Sequence, residues 1–141
     1  MSEVSIEANT RFGAIVVTGS RYATDPECAL FTKKMALAMC PHGDPLYVYH
    51  GGASGVDLLV ANGLNHEPFK IVEVKADWTQ HGKAAGPLRN KKMVDLAARH
   101  NIVLMVAFPM RGKENRGTID CINHALKHPR GIPINVRWIN E

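Results

Sequence analysis

At 141 residues, 45% hydrophobic and 21% charged, the chain has the length and balance of one soluble globular domain able to bury a proper core. No apolar run approaches the roughly 20 residues needed to span a bilayer, and the N-terminus lacks a basic region followed by an apolar stretch, so a cytoplasmic protein with no membrane partner is expected. The formal charge of +4 and pI of about 9.1 favour an anionic partner, whether nucleic acid or a phosphorylated metabolite.

The chain then alternates strand and helix. Residues 1–12 read as a flexible arm preceding a domain over 13–141. Ala14–Thr18 is a short β-branched run, the mark of a buried strand. Thr24-Asp25-Pro26-Glu27 reads as a helix start, with a polar cap and proline in the first turn, and that helix runs to about Cys40 before Pro41-His42-Gly43 stops it. Leu46–Tyr49 is the second strand, Val56–Leu64 the second helix and Phe69–Val74 the third strand. A polar loop over Ala76–Gly86 leads into a helix from Pro87 to near His100, with Leu88, Met93, Leu96 and Ala97 as its buried side. Ile102–Ala107 is the most apolar strand. A second polar loop, Met110–Arg116, precedes a helix over Thr118–Lys127, and Ile134–Trp138 closes the sheet.

Five strands separated by four helices imply an α/β fold: a Rossmann-like single domain with a five-stranded, mostly parallel sheet and helices on both faces. In that fold ligands bind beyond the carboxyl ends of the strands. Four polar or glycine-rich segments follow strands here, so all four should meet on one rim. No repeat, linker or low-complexity segment interrupts the chain.

Each segment has a functional and a bland reading. Gly19-Ser20-Arg21 either contacts a phosphate or sugar edge or is a tight turn with a surface arginine. Gly51-Gly52-Ala53-Ser54-Gly55-Val56-Asp57 lies between a strand and a helix, where glycines uncover backbone N–H groups beside the positive end of the helix dipole. Ser54 could cap that helix or bind a ligand oxygen; Asp57 could hold a ribose hydroxyl or merely complement the dipole. The segment fits neither G-x-G-x-x-G nor the Walker pattern. Asp77 to Lys91 combines Trp78, His81, Lys83, Gly86, Arg89 and Asn90. Trp78 could stack on a base or cover the core edge; the lysines read as solvated charges, and Arg89 is the better candidate to face the crevice. After Pro109, Arg116-Gly117-Thr118-Ile119-Asp120 offers backbone donors at another helix start.

Cys28, Cys40 and Cys121 are odd in number and far apart, which makes neither a disulfide framework nor a metal knuckle. Buried, inert thiols are expected, with Cys28 and Cys40 in one helix. His42, His66, His100, His124 and His128 are expected as solvated imidazoles near helix ends or loops. No metal ligand set and no cofactor motif is present.

Taken in order, Val-Thr-Gly-Ser-Arg, His-Gly-Gly-Ala-Ser-Gly-Val-Asp, Ala-Asp-Trp…His-Gly-Lys-Ala-Ala-Gly-Pro-Leu-Arg-Asn, Ala-Phe-Pro and Arg-Gly-Thr resemble the YspA-like branch of the SLOG superfamily, over roughly Ala14 to Val136. The resemblance implies a Rossmann-like fold that binds nucleotides or nucleotide-derived small molecules, in a homo-oligomer and a dimer in particular. Related members include the LOG phosphoribohydrolases, with an arginine-lysine motif on one helix and Gly-Gly-x-Gly-Thr followed by glutamate on another. Arg89-Asn90-Lys91 and Arg116-Gly117-Thr118 with Asp120 stand where these would fall. The chain departs from both, since Asn90 separates the basic pair, Asp120 is one methylene short, and Met110–Asn115 replaces the compact glycine pair.

Three functions follow as expectations. The first is binding of a nucleotide or derivative, with or without hydrolysis of its N-glycosidic bond; the hydrolytic version assigns two roles. In it Arg89 positions the phosphate or leaving base, and Asp120 stabilises the oxocarbenium-like transition state. The second is a sensor or sequestering protein with no chemistry. The third, ranked last for want of a long basic stripe with interleaved aromatics, is single-stranded nucleic-acid binding.

Overall fold

The computed structural model describes residues 12–141. The expected arm over residues 1–12 therefore lies outside the described residues, apart from Phe12. Strands β1 (Gly13–Gly19), β2 (Leu46–His50), β3 (Phe69–Glu73), β4 (Ile102–Phe108) and β5 (Ile134–Val136) form one sheet in the order β3-β2-β1-β4-β5. Every neighbouring pair is parallel. This is the Rossmann-like architecture.

Alternation along β1 divides the core. Ile15 and Val17 face one layer, packed by α1 (Glu27–Met39) and α2 (Val56–Gly63) through Cys28, Ala29, Val56 and Val60. Ala14 and Val16 face the other, packed by α4 (Ala85–Ala97) and α5 (Arg116–Lys127) through Met93, Val94, Cys121 and Ala125. Because β1 is covered on both faces, its sequence is apolar throughout rather than alternating. The chain runs outward from β1 to β3, then returns to lay β4 on β1's other side. The loops after β1 and β4 consequently diverge at the carboxyl edge and leave a crevice.

Several expectations need correction. The segment after β3 is not a loop: α3 (Trp78–His81) and a 3-10 turn (Gly82–Ala84) lead straight into α4. Asp77 starts this stretch, its Oδ1 accepting from the Gln80 N–H at 3.0 Å. Leu88 is exposed, because the buried stripe of α4 runs through Ala85, Asn90, Met93, Val94 and Ala97. At α1, Pro26 stands at the cap position and Cys40 just beyond the C-terminus. Helix α5 begins at Arg116, two residues early, and β5 ends at Val136.

His100 is not solvated. It is fully buried, its Nδ1 hydrogen-bonded to the Phe12 carbonyl at 3.0 Å and its Nε2 to the Tyr49 hydroxyl at 2.7 Å. A carbonyl can only accept, so Nδ1 carries a proton. Among the described residues, no helix is long and apolar enough to cross a membrane.

Candidate functional site

The loop after β1 and the loop after β2 are sewn together. The Val56 N–H donates to the Ser20 carbonyl at 3.0 Å, and the Ser54 hydroxyl to the Arg21 carbonyl at 3.2 Å. Gly55 sits at φ +80°, where a β-carbon would also collide with the Ser20 carbonyl. Only glycine meets both demands. Ser54 therefore clamps a neighbouring loop and does not cap its helix.

The N–H groups of the glycine loop point inward more than expected. Asp57 Oδ2 accepts from the Gly51 N–H at 3.0 Å and the Ala53 N–H at 3.2 Å. The Gly52 N–H donates to His50 Nδ1 at 3.0 Å, so that nitrogen is unprotonated. Burial holds His50 below the usual imidazole range. Burial also raises Asp57 to about 6, although the two amide bonds and Arg89 pull the other way. The loop is thus held by its own carboxylate and imidazole.

A cavity of about 190 Å³ opens where β1 and β4 diverge. The β1 end supplies Thr18, Gly19, Ser20 and Arg21; the β2 loop supplies Gly51, Ala53 and Asp57. Helix α4 adds Arg89 and Asn90, and the start of α5 adds Arg116, Gly117 and Thr118. The start of α5 is uncapped for a specific reason. Asn115 stands at the cap position, but its amide is spent on the Met110 N–H and carbonyl, both at 2.9 Å, closing the loop before the helix. The first turn of α5 thus has no side-chain cap, and Asn115, Arg116, Gly117 and Thr118 line the cavity.

A chain of polar contacts joins the helices behind this cavity. Arg89 Nη1 donates to the Gly51 carbonyl at 2.6 Å and Nε to Asn90 Oδ1 at 2.9 Å. Asn90 Nδ2 donates to Asp120 Oδ2 at 2.9 Å and faces the Gly117 carbonyl at 3.4 Å. His124 Nε2 lies 3.4 Å from the same Asp120 oxygen. Asp120 is thereby turned toward α4 and is not among the residues lining the cavity.

A second cavity, of about 290 Å³, shares Gly51, Ala53 and Arg89 with the first and continues past Gly52 to Glu73, Lys75, Ala76 and Trp78. Trp78 is 61% exposed and so does not cover the core edge. Of the remaining residues singled out in the sequence, His81 and Lys83 are exposed and line neither cavity. Gly86 is buried beneath the Trp78 ring, and Pro109 is buried with its carbonyl accepting from the Ile139 N–H at 2.8 Å.

Sequence reasoning missed Thr18, Met93, Glu114, Asn115, Glu73 and Lys75. Two signals were present. Asn115 directly precedes a helix, the position asparagine favours. Glu73 and Lys75 lie at the carboxyl end of a strand in a fold that binds ligands there.

No family model matches the chain. The structure of DNA processing protein A (DprA) from Streptococcus pneumoniae is similar at 15% identity with a TM-score of 0.45, over 89% of this chain and 59% of that one, so the chain spans less than two thirds of that protein's length. The Gene 61 protein of Mycobacterium phage D29 is 36% identical over 125 residues, covering 85% of this chain and 92% of that protein. At that identity and coverage, the chain belongs to the family of the Gene 61 protein of Mycobacterium phage D29.

Proposed function

We propose that the paired cavities bind a nucleotide or nucleotide-derived small molecule, with its phosphate against the uncapped start of α5. The observation that carries this reading is the convergence of Ser20, Arg21, Arg89 and Arg116 with that uncapped helix start on one small crevice. Two carboxylates, Asp57 and Glu114, share the wall. Asp57 is occupied by loop amides, and Glu114 lies 3.4 Å from Arg116. The crevice therefore keeps a cationic balance suited to a phosphate. The ordered motifs support a SLOG-type protein, of the YspA-like branch.

The arrangement favours binding over bond cleavage. Glycosidic hydrolysis requires a carboxylate at the developing oxocarbenium, and Asp120 is held by Asn90 behind the cavity wall. Native mass spectrometry of the freshly purified chain, followed by titration with nucleoside monophosphates, tests the reading and gives the assembly state. We expect a phosphorylated small molecule recovered intact. Arg89→Ala should weaken binding by about ten- to a hundredfold, about 1.4 to 2.8 kcal/mol. Free base accumulating during incubation would move the assignment to a hydrolase; unchanged affinity in Arg89→Ala would remove the cavity from the function.

A further inference from the structure

We propose that the second cavity is a base subsite selective for guanine, with Trp78 as its stacking surface and Glu73 as the reader of the base edge. The inference rests on the phosphate reading of the first cavity, since the two share Gly51, Ala53 and Arg89 and one ligand would pass from one to the other.

Three features of the second cavity point to a planar, donor-rich base. The first is Trp78, whose indole is largely exposed on the cavity wall. It is not filling the core, and an exposed aromatic face beside a cationic crevice offers a stacking platform. The buried Gly86 lies against it: a β-carbon there would stand 3.3 Å from Trp78 Cη2, so the glycine lets the ring settle close to α4.

The second is Glu73, the last residue of β3. Its carboxyl group leans over Gly52, where an added β-carbon would lie only 2.7 Å from Oε2. Gly52 sits at φ +76°, a backbone conformation that favours glycine there. Among the described residues, the Glu73 carboxylate makes no hydrogen bond or ion pair, and its two acceptor oxygens stay available beside the cavity.

The third is the charge around that carboxylate. Lys75 and Arg89 line the same cavity. Arg89 Nη1 and Nε are committed to Gly51 and Asn90, which leaves the Lys75 ammonium as the donor for a base acceptor in this cavity.

The hydrogen-bonding patterns of the bases then decide among ligands. Guanine carries adjacent N1–H and N2–H donors, which a carboxylate accepts in parallel, and next to them the O6 acceptor, which an ammonium can meet. Adenine and cytosine place a ring-nitrogen lone pair beside a single amine, and that lone pair would oppose a carboxylate oxygen. Uracil sets its one N–H between two carbonyls. A site built around a carboxylate penalises each of these, because a polar group would be left facing a like partner. Hypoxanthine keeps N1–H but lacks the 2-amino group and should bind in between.

Calorimetric titration of the full chain with GMP, IMP, AMP, CMP and ribose 5-phosphate tests the subsite. GMP should bind at least tenfold tighter than AMP, CMP or ribose 5-phosphate, with IMP intermediate. Glu73→Gln should weaken GMP about tenfold and tighten AMP, whose N1 lone pair then meets an amide donor, while leaving ribose 5-phosphate unchanged. In a Trp138→Phe background, where Trp78 is the sole tryptophan, GMP should quench the fluorescence and ribose 5-phosphate should not. If GMP and AMP bind alike, or Glu73→Gln leaves GMP untouched, the guanine subsite is wrong while ribose 5-phosphate binding still upholds the phosphate cavity. If none of the five binds, both readings fall.

Discussion

Arg89 lies over Gly51. Its Nη1 donates to the Gly51 carbonyl at 2.6 Å, and its guanidinium fills the volume that a β-carbon on Gly51 would take. The pair joins α4 to the β2 loop at the wall shared by both cavities. Glycine at this position lets Arg89 approach so closely; its φ is not in the left-handed region.

Gly51→Ala should therefore act on the site more than on the fold. The atoms it meets are the far end of a flexible side chain, which can swing away into the open cavity. Affinity for a nucleoside monophosphate should fall about tenfold, about 1.4 kcal/mol, with the circular dichroism spectrum unchanged. A variant that binds like wild type would show that the placement of Arg89 does not matter.

Asp57 predicts a pH dependence of stability. Burial raises its pKa from 3.8 to about 6 in the folded state. The folded protein then holds the proton more tightly than the unfolded chain. The stabilisation is complete below about pH 4 and is lost as pH rises through about 6, a change of roughly 3 kcal/mol. Asp57→Asn keeps an oxygen for the two amides and removes the titration. The stability difference, wild type minus variant, should fall between pH 4 and pH 7 when followed by urea unfolding. A flat difference would refute the assignment.

Asn90 is the buried link between Arg89 and Asp120. Asn90→Ala removes the amide donor of Asp120 and the Nε acceptor of Arg89, which should cost about 1 to 3 kcal/mol of stability and loosen nucleotide binding. Asn90→Asp should cost more, because it sets a second carboxylate against Asp120. Thermal melts would rank wild type above Ala and Ala above Asp. The reverse order of the two variants would mean Asp120 does not need an amide donor.

The thiols should separate by burial. Cys28 and Cys121 are buried, and desolvation pushes them up to about 11 and about 12. Cys40, past the end of α1, is half-buried. Titration of the native protein with a chromogenic disulfide should show one faster thiol, lost in Cys40→Ala, and three after unfolding. Three equal rates in the native state would contradict the packing of α1 and α5 on the sheet.

How much of this was legible depends on the range of the interactions. The strands, helices and glycine-bearing loops at the strand ends were readable, because a buried parallel strand writes itself as a short apolar run and a turn with φ above zero asks for glycine. The helical stretch after β3 was missed because Trp78–His81 carries no apolar stripe and depends on the Asp77 cap. His100 read as solvated because nothing local announces Tyr49, 51 residues away.

The feature that promised most, the glycine loop, shows the division best. Its sequence determined that the backbone must turn sharply between strand and helix, and the order of the other loops placed it on a common rim. Only the tertiary structure decided where its N–H groups go. Asp57 and His50 take three of them, while the start of α5 carries no side-chain cap. Asn90 and Asp120, 30 residues apart, meet because α4 and α5 pack side by side. Local sequence encodes which face of an element is buried. It does not encode which distant side chain that burial brings within hydrogen-bond reach.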